Sequence, residues 1–422
     1  MRKHLMRFVA AMICLWTAGV TIARAEGDAT PKPAPAEKSG GSLSERVSQL
    51  EKKLAAFEES SGQKFRQIQE NELRLHFNLY GDVEYSVMGL SNAFPQANEF
   101  RLGQTDLHIM AQYGEHLSGM SEDVVEFDGQ DPVIDLERIV VFYTVSDQLR
   151  LGAGRDHTAF GYWNRTFHHG AQLQTTIDRP FFLRFEDGGG STPAHIVGLF
   201  ANGTFDMGGS LLKYELNIGN GQSIGLVGDG AGNVAEAAFN LNPSGDNNTD
   251  KSFAGRLVFK PDAGGGLALG AAAVWNKYDV IPTADLVATS NPLVFTGLGQ
   301  VLLEAEVIYT DENFEFLSEF YNFDNAVAGM PTQGSASNTA FYAQLGVQAA
   351  PDLKPYVRVE NLTVDTTDPY FLAMGQSTKT VWLGGLRLDI VPVASSLKLE
   401  ARFINANGVN ATEVASAWGF GF

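Results

Sequence analysis

Cysteine is nearly absent. Cys14 is the only one in 422 residues, and it lies in an N-terminal segment that reads as a removable leader, so the rest of the chain has neither a disulfide framework nor a thiolate metal site. Basic residues are scarce too: 30 Lys and Arg stand against 49 Asp and Glu, a formal charge of −19, and no lysine occurs between Lys64 and Lys213. Nucleic-acid binding wants a basic footprint and is excluded on that ground. Long apolar runs are also missing. Beyond the leader nothing approaches the roughly 18–20 residues of a membrane-spanning helix, and the apolar residues are spread in alternation, the pattern of a sheet with two different faces.

Arg2, Lys3 and Arg7 precede the apolar run Phe8–Ile22, and Ala23-Arg24-Ala25 offers a small-x-small cleavage site, so residues 1–25 read as a signal peptide. Their removal takes away four basic residues and no acid, moving the formal charge from −19 to −23. Residues 26–42, with Pro31, Pro33, Pro35, Gly40 and Gly41, form a flexible linker. Leu43, Val47, Leu50, Leu54 and Phe57 then recur at spacings of four and three between charged residues, the seam of a coiled coil over 43–70. A lone helix of this length is marginal in water, so it is expected either to oligomerise, most simply as a trimer, or to lie on some other surface.

Strand-type alternation starts at Leu73. From Leu73 to Val87 every odd residue except Gly81 is apolar and nearly every even one is polar, a dyad repeat long enough for a membrane barrel that shows apolar side chains to lipid and polar ones to a lumen. Further segments repeat it, joined alternately by short turns such as Ser146-Asp147-Gln148 and Thr310-Asp311-Glu312-Asn313 and by long Gly/Asn/Asp/Ser-rich stretches such as 219–251 and 365–379. The reading is an all-β fold: an antiparallel transmembrane barrel of about sixteen strands over 73–422, the short turns facing the periplasm.

The chain closes on Ala-Trp-Gly-Phe-Gly-Phe, with Trp418, Phe420 and Phe422 on alternate residues. This ending resembles the terminal strand of Gram-negative outer-membrane porins, whose last aromatic is read by the barrel-assembly machinery. The preceding coiled coil looks like that of the phosphate-selective and sugar-selective porins, which are trimers. The resemblance implies a homotrimer in the outer membrane, among lipids and lipopolysaccharide, with the N-terminal segment in the periplasm within reach of peptidoglycan. A phosphate-selective assignment carries over poorly, because those porins use lysine-rich constrictions.

The longest stretch without alternation, about 156–195, follows the fifth strand and is the third loop on its side. In the porins it resembles, that loop folds inward and narrows the pore. It is rich in aromatics, unlike disordered segments, and six of the fourteen arginines after the leader fall in or just before it. Candidate constriction residues are Arg155, Asp156, Arg165, His168, His169, Asp178, Arg179, Arg184, Glu186 and Asp187. Phase along the strands places Arg74, Arg358, Glu360, Arg387, Asp389, Lys398, Glu400 and Arg402 on the lumen wall, where they either set a transverse field or merely pair with each other. His157, His168, His169 and His195 lie near acids in sequence, but no i, i+4 ligand spacing appears, so neither a metal nor a cofactor is expected.

These features point to a pore for passive diffusion of small hydrophilic solutes or ions. Two rivals stand beside it: a structural tether or adhesin with a plugged barrel, and a barrel hydrolase. The latter has little support, since Ser191, the serine near the histidines, builds no convincing triad.

Overall fold

The computed structural model describes Lys52–Lys53 and residues 72–422, except 90–96, 129–130, 168–169, 185–189, 222, 229–233, 241–249, 283–296, 329–335, 369 and 372–373. The signal peptide, the linker and, apart from Lys52 and Lys53, which are helical, the coiled-coil segment lie outside the described residues.

Alternation becomes strand wherever it was read. The strands are β1 (Leu73–Gly89), β2 (Ala97–Tyr113), β3 (Leu117–Asp128), β4 (Asp131–Ser146), β5 (Leu149–His157), β6 (His195–Asp206), β7 (Leu211–Asn220), β8 (Ser223–Gly228), β9 (Val234–Asn240) and β10 (Lys251–Lys260). They continue as β11 (Leu267–Pro282), β12 (Gly297–Thr310), β13 (Phe314–Ala328), β14 (Ala336–Val347), β15 (Leu353–Thr363), β16 (Lys379–Val391), β17 (Ser395–Ala406) and β18 (Val409–Gly421). Each strand from β1 to β6 pairs antiparallel with the next, β7 pairs with β10, and β10 to β18 follow in order. The ring closes where β1 meets β18, with Val83 opposite Trp418. Among the described residues, then, sixteen strands form the barrel.

The remaining two strands correct the reading of 219–251 as a plain loop. There β8 and β9 form a hairpin, and β8 adds in parallel to the end of β11, Ser223 opposite Asp279. Their shortness hid them: six and seven residues give little room for a repeating pattern.

Turn chemistry separates the two rims. At the short-turn rim Asp206 Oδ1 accepts the N–H groups of Gly208 and Gly209 at 3.0 and 3.1 Å, and Asp311 Oδ1 accepts those of Asn313 and Phe314 at 2.7 Å each. At the other rim two connections are also short. Asp128 pairs with Asp131, and β17 turns into β18 through Asn407 and Gly408, both at positive φ, as a two-residue hairpin turn of the I′ kind requires.

Outside, the barrel is apolar. Leu397, Leu399 and Phe403 on β17 are exposed, while the alternating Lys398, Glu400 and Arg402 are buried inside. Trp418 and Phe422 are exposed on the outer face, and the Phe420 ring lies over Gly81, where an added Cβ would come within 2.9 Å of it. Gly81 thus breaks the apolar alternation of β1 because the seam needs the space. An outer face apolar around a closed ring, with every backbone ladder satisfied, suits hydrocarbon surroundings.

Candidate functional site: a loop across the lumen

Residues 158–194 leave the wall between β5 and β6 and cross to its far side. The neck is fastened by backbone, Thr158 N–H to Ala194 O at 2.9 Å, and by the Asn164 amide, which donates to both carbonyls at 3.3 and 3.1 Å. The first segment is the short helix α1 (Tyr162–Thr166). Its N-terminus lands on Glu319 of β13, whose carboxylate accepts the N–H groups of Tyr162 and Trp163 at 2.5 and 3.2 Å and the hydroxyls of Tyr321 and Tyr342 at 2.7 and 2.6 Å. One buried carboxylate therefore satisfies two of the free donors that every helix start leaves behind.

Beside that anchor Trp163, Phe160 and Phe182 pack with Tyr321, Phe323 and Tyr342 in the largest apolar cluster. Trp163 is wholly buried. This core lies inside the barrel, between loop and wall.

The second half of the loop is held by charge. Arg358 donates to Thr176 Oγ1 at 2.7 Å and to the Asp178 carbonyl at 3.0 Å, and it pairs with Glu360. Glu360 accepts the Phe181 N–H at 2.7 Å and Glu400 that of Ile177 at 2.6 Å. Lys398 donates to the carbonyls of Ala171 and Thr176, and Arg387, paired with Asp389, donates to that of Gln174 at 2.6 Å. The wall charges other than Arg74 are thus covered by the loop and bonded to it or to one another. Of the two roles open to these charges, a transverse field or mutual pairing, the contacts favour pairing and anchorage, because a charge taken out of water needs a partner. Arg74 stands apart: it is exposed, and its nearest ion-pair partner is Glu72 at 3.9 Å.

The seat of the loop was overlooked in the sequence. Ala417, Gly419 and Gly421 alternate with the closing aromatics and face inward, and a Cβ on Gly419 would come 2.7 Å from the Gln172 backbone nitrogen. Small residues on this face let the loop backbone lie against β18.

The loop candidates separate by place. Asp178 meets Arg402 at 2.6 Å and Arg184 at 3.9 Å. Burial pushes the Asp178 carboxyl up, but Arg402, Arg184 and Arg101 outweigh it and hold the group well below the usual carboxylate range. Arg101 of β2 is itself paired with Glu84 of β1. At the neck, Asp156 stands between Arg138 at 3.9 Å and Arg165 at 3.8 Å, and Arg165 reaches Glu215 at 2.7 Å. Arg155 lies 3.6 Å from Glu137, which also meets His195 Nε2 at 3.1 Å. Arg179 is buried. His168, His169, Glu186 and Asp187 lie outside the described residues.

Between the loop and the β1–β7 wall lies a cavity of about 930 Å³. Its charged lining includes Arg74, Arg138, Arg150, Arg165 and Lys213 against Asp147, Asp156 and Glu215. Most of these are paired, but Arg150 has a hydroxyl, Ser118 Oγ at 3.0 Å, and the Phe142 ring 3.8 Å from its guanidinium carbon.

No family model matches the chain, and no curated protein sequence matches it. Solved structures do. The anion-selective porin from Comamonas acidovorans aligns with a TM-score of 0.57 at 10% identity, over 83% of this chain and 100% of that one. The fold is that of the porins. The outer-membrane channel DcaP of Acinetobacter baumannii aligns at 0.51 and 12% identity over 84% and 98% of the two chains. Pseudomonas putida OprB aligns at 0.51 and 12% identity over 86% and 97%. At these identities the likeness is one of architecture: a sixteen-stranded porin barrel.

One sequence pattern needs its context. Gly221-Gln222-Ser223-Ile224-Gly225 spells the nucleophile elbow of hydrolases. That motif works on a strand-to-helix turn, whereas Ser223 opens β8, which runs to another strand. Ser191 donates to Gln376 Oε1 at 2.6 Å and not to a histidine.

Proposed function

We propose that the protein is a passive outer-membrane pore for small hydrophilic solutes, assembled as a homotrimer, in which the loop of residues 158–194 sets the width of the passage. The observation that carries this reading is the 930 Å³ cavity lined by charged and polar side chains inside a ring of strands that is apolar outside. Solutes pass between the loop and the β1–β7 wall, along the cavity lined by Arg138, Arg150, Asp156 and Arg165 and past Asp178, which acts on Glu84 and Arg101.

The cavity lining favours anions locally, against the chain's overall charge of −19. Its five basic residues outnumber its three acids, and pairing of Asp156 and Glu215 with Arg138 and Arg165 leaves Arg74, Arg150 and Lys213 against Asp147. A narrow pore responds to the charges on its wall more than to the sum over the molecule, because salt screens the rest within about 8–10 Å. The N-terminal coiled coil adds to trimer assembly in the periplasm.

Planar-bilayer recording tests the reading. Stepwise conductance, arriving in groups of three, is the expected result, with a reversal potential of anion-selective sign in a potassium chloride gradient. Well-folded protein that inserts without conducting favours a tether with a plugged barrel. Deleting residues 43–70 is expected to weaken the trimer on native gels.

A further inference from the structure

One group of wall acids is only partly used in anchoring the loop. Glu304 and Glu306 stand two apart on β12 and so share its inner face, and the β12–β13 register sets Glu306 directly opposite Glu319. Each of the three offers a carboxylate oxygen within 4.8 Å of those of the other two, and all three are buried.

Their occupations differ. Glu319 accepts the start of α1 and two tyrosine hydroxyls. Glu306 is held by Arg256 through contacts of 2.7 to 3.1 Å. Glu304, only 4% exposed, has no hydrogen-bond partner for either oxygen among the described residues. A buried ionised carboxylate without a partner is strongly destabilising. Three acids against one guanidinium leave two negative charges, and Arg256 is further shared with Glu215 at 3.8 Å. A proton on Glu304 removes one of the two, whereas a divalent cation removes both.

We propose that Glu304, Glu306 and Glu319 bind one hard divalent cation of the calcium class. Oxygens on opposite sides of an ion that binds each at 2.3–2.6 Å stand about 4.6–5.2 Å apart, so the observed spacing admits a shared ion. An all-carboxylate set favours calcium or magnesium over the softer metals. Glu304 supplies both free oxygens and Glu306 the open side of Oε1, while Glu319, whose oxygens already accept four hydrogen bonds, adds its charge beside the ion. Small neighbours leave the space: Ala272 lies opposite Glu304 and Gly270 opposite Glu306, where a Cβ on Gly270 would come 2.4 Å from Glu306 Oε1. Because Glu319 also receives α1, the ion ties the charge balance of the wall to the docking of the crossing loop, whatever solute the pore carries.

Direct metal analysis tests this independently of conductance. Protein refolded in detergent without lipopolysaccharide, stripped with chelator and dialysed against calcium alone is expected to retain one calcium per chain. Glu304→Gln is expected to retain none, while Asp311→Asn, at an exposed turn, retains it. Calcium is expected to raise the melting midpoint of the wild type and to leave that of E304Q unmoved. Without calcium, E304Q is expected to melt above the wild type, since its amide relieves the repulsion. Should E304Q fail to refold, Glu304→Met serves with the same metal expectation. Wild-type protein that holds no stoichiometric calcium at millimolar concentration overturns the proposal, and so does an E304Q that keeps it.

Discussion

Arg402 of β17 holds Asp178 of the crossing loop at 2.6 Å, and the same guanidinium meets Glu400 at 2.7 Å and Glu413 at 3.3 Å. The fold favours the ionised Asp178, whose carboxyl is held below the usual range. Its contribution is therefore complete above the ordinary carboxylate value of about 3.9 and is lost as pH falls through the lower folded value. Single-channel conductance is expected to stay constant from pH 7 down to about 4 and to change only below that, while Asp178→Asn shows the acid behaviour at neutral pH. A step near pH 6 would instead implicate histidine.

Trp163 is the apolar anchor of the loop. Truncation to alanine removes a fully buried indole and is expected to cost about 3–5 kcal/mol of loop docking. The barrel ladders are untouched by the change, so heat-resistant β-structure should persist by circular dichroism. Conductance should become larger and noisier. Unchanged, quiet channels would mean that the polar anchors suffice.

Gly419→Val tests the seat on β18. An added Cβ already approaches the Gln172 nitrogen to 2.7 Å, so the branched side chain should displace the loop tip without breaking the Gly419 pairing with Ser396. Limited proteolysis is expected to cut within 168–175 in the variant and not in the wild type. Equal resistance in both would show that the strand yields instead.

Reversing Arg150 and Lys213 to glutamate tests the field of the cavity. Each charge acts on a passing ion by about 1 kcal/mol at 4 Å in water, roughly a fivefold effect on occupancy. The double variant is expected to move the reversal potential in a salt gradient towards cation preference while still conducting. An unmoved reversal potential would place selectivity at Asp178, Arg184, Glu84 and Arg101.

Much of the fold was legible because its signal is local. A strand repeats every two residues, so Leu73–Val87 and Leu397–Ile404 announce both strand and facing, and Thr310-Asp311-Glu312-Asn313 announces a turn. The hairpin β8–β9 escaped because strands of six and seven residues hold too few positions for alternation to stand out. The closing Trp418, Phe420 and Phe422 displayed an outer stripe, but the inward Ala417, Gly419 and Gly421 read only as spacers.

The sequence by itself determined that a closed, lipid-facing sheet with an aromatic-rich loop would form, since pleat and turn depend on neighbours in the chain. Only the tertiary structure decided what the wall charges do. Glu304, Glu306 and Glu319, or Arg402 and Asp178, come together through cross-strand register and the docking of a loop across the lumen. Those contacts depend on where distant segments are brought in space; spacing along the chain encodes only that Glu304 and Glu306 share one face.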